Sequence, residues 1–153
     1  MDRSKFKHVV QVRVRNYEID WQGIVHNAVY LLYFETGRVA YLENVGVKVD
    51  LNSIRHESKV VVARNEIDYR SPALHGEILN VLTRVAFIRN TSFAFEGIIE
   101  EADTGRLISE NVSIHVWLDH RTHAPMAVPD DFRRKVHKYE GDTAQITWPT
   151  YLA

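Results

Sequence analysis

Between the polar turn around Gly23 and the glycine at position 46 the chain carries an unbroken run of helix formers with no proline. Its first two turns, Ala28-Val29-Tyr30-Leu31-Leu32-Tyr33-Phe34, are apolar on every side. A helix without a polar face has to be surrounded by protein. The spacing predicts a helix of five turns over residues 28–45, with Asn27 placed to cap its start and Gly46 to end it in a left-handed conformation. Its later half regains Arg38 and Glu43, and Gly37 permits close backbone approach to whatever covers it.

The remaining residues supply the cover as strands. Residues 6–17 alternate, with Phe6, Val10, Val12 and Val14 on one face and Gln11, Arg13 and Arg15 on the other, which is the period of a half-buried strand. Residues 60–69, 77–89, 92–101 and 107–119 are rich in Val, Ile and Phe and read as further strands. Arg89-Asn90-Thr91 and Asp103-Thr104-Gly105 provide hairpin turns between them. Pro129 and Asp130 precede a short basic amphipathic helix over residues 132–139, and the residues after Gly141 read as a loosely ordered tail. One strand, a long buried helix and then a run of antiparallel strands indicate α+β architecture, with a sheet that curls around the helix. The 153 residues are expected to form a single domain over 1–153.

Composition removes several function classes. A net charge of −1 leaves no general field to collect nucleic acid or an anionic membrane surface. With no cysteine, disulfides, thiolate zinc sites and cysteine nucleophiles are all absent. The polar start of the chain lacks a signal-peptide core, and no apolar stretch approaches the ~20 residues of a membrane span, so a cytoplasmic location and no membrane partner are expected. There is no phosphate-binding glycine loop and no Gly-x-Ser-x-Gly elbow. His120 and His123 stand at a chelating spacing without a third ligand, so no metal is expected.

The stretch from Tyr17 to Leu31 joins the first strand to the buried helix. Within it Asp20, Gly23, Ile24, Val25, Asn27 and Tyr30 fill a pattern that resembles the hotdog-fold thioesterases of the 4-hydroxybenzoyl-CoA thioesterase type. The resemblance continues through Arg64 to Pro72 and Pro125 to Pro129. It implies the hotdog fold, a long central helix wrapped by a curved antiparallel sheet of five or six strands. It also implies a homodimer joined edge to edge into one continuous sheet, with a homotetramer as a dimer of dimers, and active sites shared across the dimer interface. The activity implied is hydrolysis of an acyl-CoA thioester to free acid and coenzyme A, needing no cofactor beyond the coenzyme A of the substrate.

Such a reaction needs a base or nucleophile at the acyl carbon and donors aimed at the developing oxyanion. Asp20 fits the first role, as general base or as nucleophile through a mixed anhydride. The free amides at the helix start fit the second, and the resemblance singles out the amide of Asn27. A second donor is expected near Lys59 or Val60. His26, Tyr30, Val60 and Arg89 are the expected substrate contacts, Arg89 because the resemblance places coenzyme A phosphates at the hairpin turn.

Each of these residues has an ordinary structural use. Asp20 could close a local turn, His26 and Asn27 could bond the backbone, Tyr30 could be core, and Arg89 could be a solvated turn charge. Glu18 is expected at the surface, and Glu35 to pair with Arg38 or line the pocket. A single cation at the hairpin turn is a poor triphosphate clamp, which keeps acyl carrier protein open as the acyl donor. The competing readings are a non-catalytic acyl-binding hotdog domain and a hotdog dehydratase, the latter opposed by Asp20 before the helix.

Overall fold

A computed structural model of the protein describes residues 1–49 and 58–152. Strand β1 (His8–Arg13) leads through a turn to helix α1 (Val29–Asn44). Strands β2 (Ser58–Tyr69), β3 (Ile78–Ile88), β4 (Ser92–Glu101) and β5 (Leu107–Asp119) follow, then helix α2 (Asp130–Glu140) and a short strand β6 (Gln145–Ile146). The sheet order is β1-β3-β4-β5-β2, antiparallel along this path, with β6 parallel to β3 beyond the end of β1. Register shifts at Val62/Arg64, Val85/Phe87 and Ile99/Glu100 mark bulges. Bulges bend strands and increase their twist, which lets one sheet curl about the helix as expected.

Two glycines set how deeply α1 sits. A Cβ on Gly37 would lie 2.5 Å from Thr83 Oγ1 and 2.7 Å from Val81 Cγ1. On the sheet side, a Cβ on Gly97 would lie 2.6 Å from the Phe34 ring. Tyr30, Tyr33, Phe34, Gly37 and Tyr41 recur at three- and four-residue spacing and form the buried face. The opposite face is open: Leu32 is 59% exposed and Glu35, Thr36 and Glu43 flank it in solvent. The expectation of a helix enclosed on every side is therefore corrected, because within one chain the sheet reaches only one side.

The start of α1 also differs from expectation. Asn27 does not cap it; Ala28 stands at the cap in helical conformation, and the Ala28 amide donates to His26 Nδ1 at 3.0 Å. Gly46 ends the helix at φ 83°, as expected. Strand β1 stops at Arg13, and Phe6 packs with Leu82 and Ile98 on the sheet face away from α1, whereas Val10 and Val12 join the α1 side.

At the far end of α1, Tyr41 meets α2. Its hydroxyl donates to Glu140 Oε1 at 2.8 Å, which also accepts the Val85 amide at 3.2 Å. Burial pushes the Glu140 carboxyl above its ordinary range. The segment after Gly141, expected as a loose tail, is held to the sheet as far as Thr147. Ala144 is buried, the Thr147 amide donates to Ile88 O at 2.9 Å, and the buried Arg133 guanidinium donates to Val128 O, Thr147 O and Arg89 O. Five donors in a fixed fork can satisfy carbonyls from three segments at once, a tie the local sequence does not reveal.

The seating of α1 is tested by Gly37→Ala. The added methyl must displace Thr83 or lift the helix, and overpacking of this kind costs about 1–3 kcal/mol. Urea unfolding should show the midpoint falling with an unchanged slope; an unchanged midpoint would contradict the close approach.

Candidate active site

The loop that carries Asp20 is braced at every turn. The Asp20 amide donates to Ile24 O at 2.8 Å, and the Gly23 amide to Asp20 O at 3.0 Å, with Gly23 at φ 83°. Bridges Ile19 to Val25 and Ile24 to Leu74, with the Val25 amide on Ala73 O, fasten this small hairpin to the segment before β3. Asp20 Oδ1 accepts the Gln22 amide at 2.8 Å, so the carboxylate does close a local turn. Among the described residues, Oδ2 takes no hydrogen bond. One oxygen orients the group and the other stays unengaged. Trp21 at the tip is 91% exposed.

Glu18 is not a surface residue as expected. It is half-buried, its Oε2 accepts the Arg15 amide at 2.9 Å and the Tyr33 hydroxyl, and its carbonyl accepts the His26 amide at 2.9 Å. Burial and the neighbouring carboxylate push the Tyr33 hydroxyl well above its ordinary range, so it remains a donor. Glu18 thereby ties the Asp20 loop to the buried face of α1.

The amides at the helix start are unequally used. His26 N–H is taken by Glu18 O, Ala28 N–H by His26 Nδ1 and Val29 N–H by His26 O. Among the described residues nothing accepts from the Asn27 amide between them. The Asn27 carbonyl accepts the Tyr69 hydroxyl at 2.9 Å, which fixes the plane of the following peptide. His26 Nδ1 is an acceptor here, so the neutral ring carries its proton on Nε2.

Of the expected substrate contacts, His26 shares this exposed end with Asp20 and Asn27. Tyr30 is 3% exposed, its hydroxyl accepts the Ala73 amide at 3.1 Å, and its ring packs edge-on against Tyr33 and Tyr69. Val60 and Arg89 are not brought to this end within one chain. β2 runs back along α1 so that its last residue, Tyr69, reaches Asn27, while Val60 stands beside the far half of the helix. Arg89 lies at the β3–β4 turn with its guanidinium 4.7 Å from the centre of the Phe87 ring. The bonds of Tyr69 to Asn27 and of Tyr33 to Glu18 are not legible in the sequence, because only the return of β2 beside α1 and the packing of α1 on the loop create them.

Val60 instead lines a cavity of about 480 Å³ between the second half of α1 and the inner face of the sheet. Helix α1 contributes Glu35, Arg38, Val39 and Leu42, and the sheet wall is Phe93, Phe95, His115 and Trp117. His115 stacks on Phe93 at 5.3 Å, and its Nε2 lies 3.0 Å from Ser113 Oγ. Burial first, and the Arg38 charge second, depress its pKa to about 4. Among the described residues Glu35 and Arg38 form no ion pair, although both face the cavity as one of the expectations for Glu35 had it. No three His, Asp or Glu side chains of the described residues converge as a metal would require.

Comparison with known proteins places this geometry in context. The sequence pattern of the thioesterase-like superfamily matches residues 14–136. The chain is 31% identical over 138 residues to the chloroplastic acyl-acyl carrier protein thioesterase ATL3 of Arabidopsis thaliana, covering 90% of this chain and 72% of that protein. It is 26% identical over 128 residues to the long-chain acyl-CoA thioesterase FadM of Escherichia coli, covering 84% of this chain and 96% of that one. A crystal structure of a thioesterase from Thermus thermophilus, complexed with coenzyme A and Zn, superposes with a TM-score of 0.77 at 30% identity, covering 92% of this chain and 98% of the other. The architecture is the hotdog fold.

His115 makes stability depend on pH. The unfolded imidazole takes up a proton as pH falls through its ordinary 6.5 and the native one only near 4, so stability declines from pH 6.5 down to 4. The loss amounts to about 3 kcal/mol over that window. In urea titrations at pH 7, 5.5 and 4.2, His115→Gln should flatten this slope; parallel slopes for both proteins would contradict the burial.

Proposed function

The chain belongs to the thioesterase-like superfamily, and from that premise we propose that it hydrolyses an acyl-CoA thioester to free acid and coenzyme A. In its use of a loop aspartate the reading follows the 4-hydroxybenzoyl-CoA thioesterase type. The observation that carries it is the unused amide of Asn27, flanked by amides that are all taken, on the same braced loop as a carboxylate with one oxygen free.

The acyl carbonyl oxygen accepts from Asn27 N–H. As the carbon becomes tetrahedral the negative charge that develops on this oxygen is met by that donor and by the positive end of α1, at no cost of reorganisation because Tyr69 and Glu18 already hold the loop. Asp20 either removes a proton from the attacking water or attacks the carbon itself, giving a mixed anhydride that water then opens. In the first route the C–S bond then breaks and the thiolate takes the proton held by Asp20; in the second the C–S bond breaks as the anhydride forms, and the water that opens the anhydride supplies the proton the thiolate takes. In this reading His26 Nε2–H donates to the substrate.

The reading includes a homodimer through β2. This strand is an edge along its whole length, and Val60, Val61 and Val62 are 42%, 39% and 47% exposed. Open edges with apolar side chains seek a pairing partner. A two-fold antiparallel pairing of β2 with β2 of a second copy sets the first half of one strand against the second half of the other. That brings the cavity beside Val60 in one copy next to the Asp20 loop of the other, and so reunites the expected contacts that a single chain keeps apart.

A second carrier is favoured by one observation. Arg89 stacks on Phe87, and the rest of the turn is Asn90, Thr91 and Ser92, so the turn offers no cluster of cations for the coenzyme A phosphates. Acyl carrier protein, which presents the same thioester on a shorter arm, fits such a turn.

Free-thiol release from a panel of acyl-CoA and acyl carrier protein thioesters tests the assignment. Asp20→Asn should lose about two or more powers of ten in kcat with binding kept. Equal turnover by both proteins would reject Asp20, and acyl ligands bound without thiol release by either would favour the non-catalytic binding domain. Tyr69→Phe removes one neutral hydrogen bond from the Asn27 peptide and should lower kcat about three- to tenfold with KM little changed; an unchanged kcat would remove Tyr69 from the positioning of the amide.

A further inference from the structure

The cavity beside the second half of α1 is apolar in its walls but holds a cation. Arg38 Nη1 is buried and has no hydrogen-bond partner among the described residues. Burial works against the charge of this guanidinium, and Glu35 offsets that only through space, without an ion pair. A guanidinium does not shed its proton in a protein, so a buried one needs an acceptor.

Among the described residues, the groups facing the cavity leave that need unmet. His115 on the opposite wall is neutral near pH 7, its protonated form opposed by burial and by the Arg38 charge. Among the described residues, Lys48 and Lys59 add two further cations at the rim, against the single carboxylate of Glu35. The cavity is thus electropositive, with aromatic walls from Phe93, Phe95, Trp117 and Phe132. A plain hydrocarbon filling it would expel water and deepen the isolation of Arg38. An apolar chain that ends in a carboxylate would fill the walls and complete a charge-assisted pair.

We propose that this cavity binds an aliphatic carboxylate, its chain against the aromatic wall and its carboxylate on Arg38. Two sources carry that chemistry: the free fatty acid that hydrolysis would release, and the far end of an acyl group derived from a dicarboxylic acid. The inference rests on the proposed hydrolase reading for its substrate, but its test does not require turnover.

Calorimetric titration with decanoate and with 1-decanol, of the wild-type protein, Arg38→Met and Arg38→Lys, reads the site directly. Wild type should bind decanoate about ten- to a hundredfold more tightly than decanol. Arg38→Met, which keeps an unbranched chain of similar reach, should lose that preference, and Arg38→Lys should keep part of it as a point charge without the fork. Equal binding of the two ligands to wild type, or a preference that survives in Arg38→Met, would overturn the proposal. Thiol release from decanoyl-CoA and decanedioyl-CoA separates the sources: an Arg38-dependent preference for decanedioyl-CoA assigns the site to the substrate's far end, and equal rates with inhibition by decanoate assign it to the product. Arg38-dependent binding of decanoate with no thiol released from either would uphold the site and sink the hydrolase reading.

Discussion

Both proposed sites in this molecule are placed by the depth at which α1 lies in the sheet. Gly37 faces Thr83 and Val81, and Gly97 faces the Phe34 ring, at distances that leave no room for a methyl group on either side. That approach fixes the height of both helix ends. The first end carries the Asn27 amide and the second forms one wall of the Arg38 cavity. Because protein interiors are close-packed, a shift at the glycines would move both ends together.

The first end is rigid for a reason that can be traced bond by bond. Glu18 joins Tyr33, the Arg15 amide and the His26 amide, while the Asp20 turn is fastened to Ala73 and Leu74. Tyr69 then reaches across from the end of β2 to Asn27. The result is a short stretch, residues 26–29, in which the Asn27 amide is the one that takes no acceptor among the described residues. A preorganised donor on the same loop as a half-satisfied carboxylate is what the proposed thioester hydrolysis needs, and the loop holds it without help from a ligand.

The second end has different chemistry. Apolar walls surround a guanidinium that is short of acceptors among the described residues, and β2, which borders the cavity, is also the open edge of the sheet. The two ends lie at least about 14 Å apart along α1, taking the rise per residue from Val29 to Arg38. A single chain therefore separates the carboxylate end from the apolar cavity, and the two-fold pairing proposed for β2 is the arrangement that would close the gap.

Local patterning in the sequence was sufficient for the architecture. The helix and the strands of the sheet follow from period and turn chemistry, Gly46 ends α1 as its position requires, and Asp20, His26 and Asn27 do share one loop because they are close in the chain. What the sequence could not decide are contacts between residues far apart in it. The Glu18 to Tyr33 bond, Tyr69 on Asn27, the separation of Val60 from Asn27, the core position of the Tyr30 hydroxyl and the clamp of Arg133 on the terminal segment each depend on how strands return beside the helix. The apolar turns of α1 announced burial but not which side would stay open, since composition records the demand for cover and only the finished sheet sets how far that cover extends.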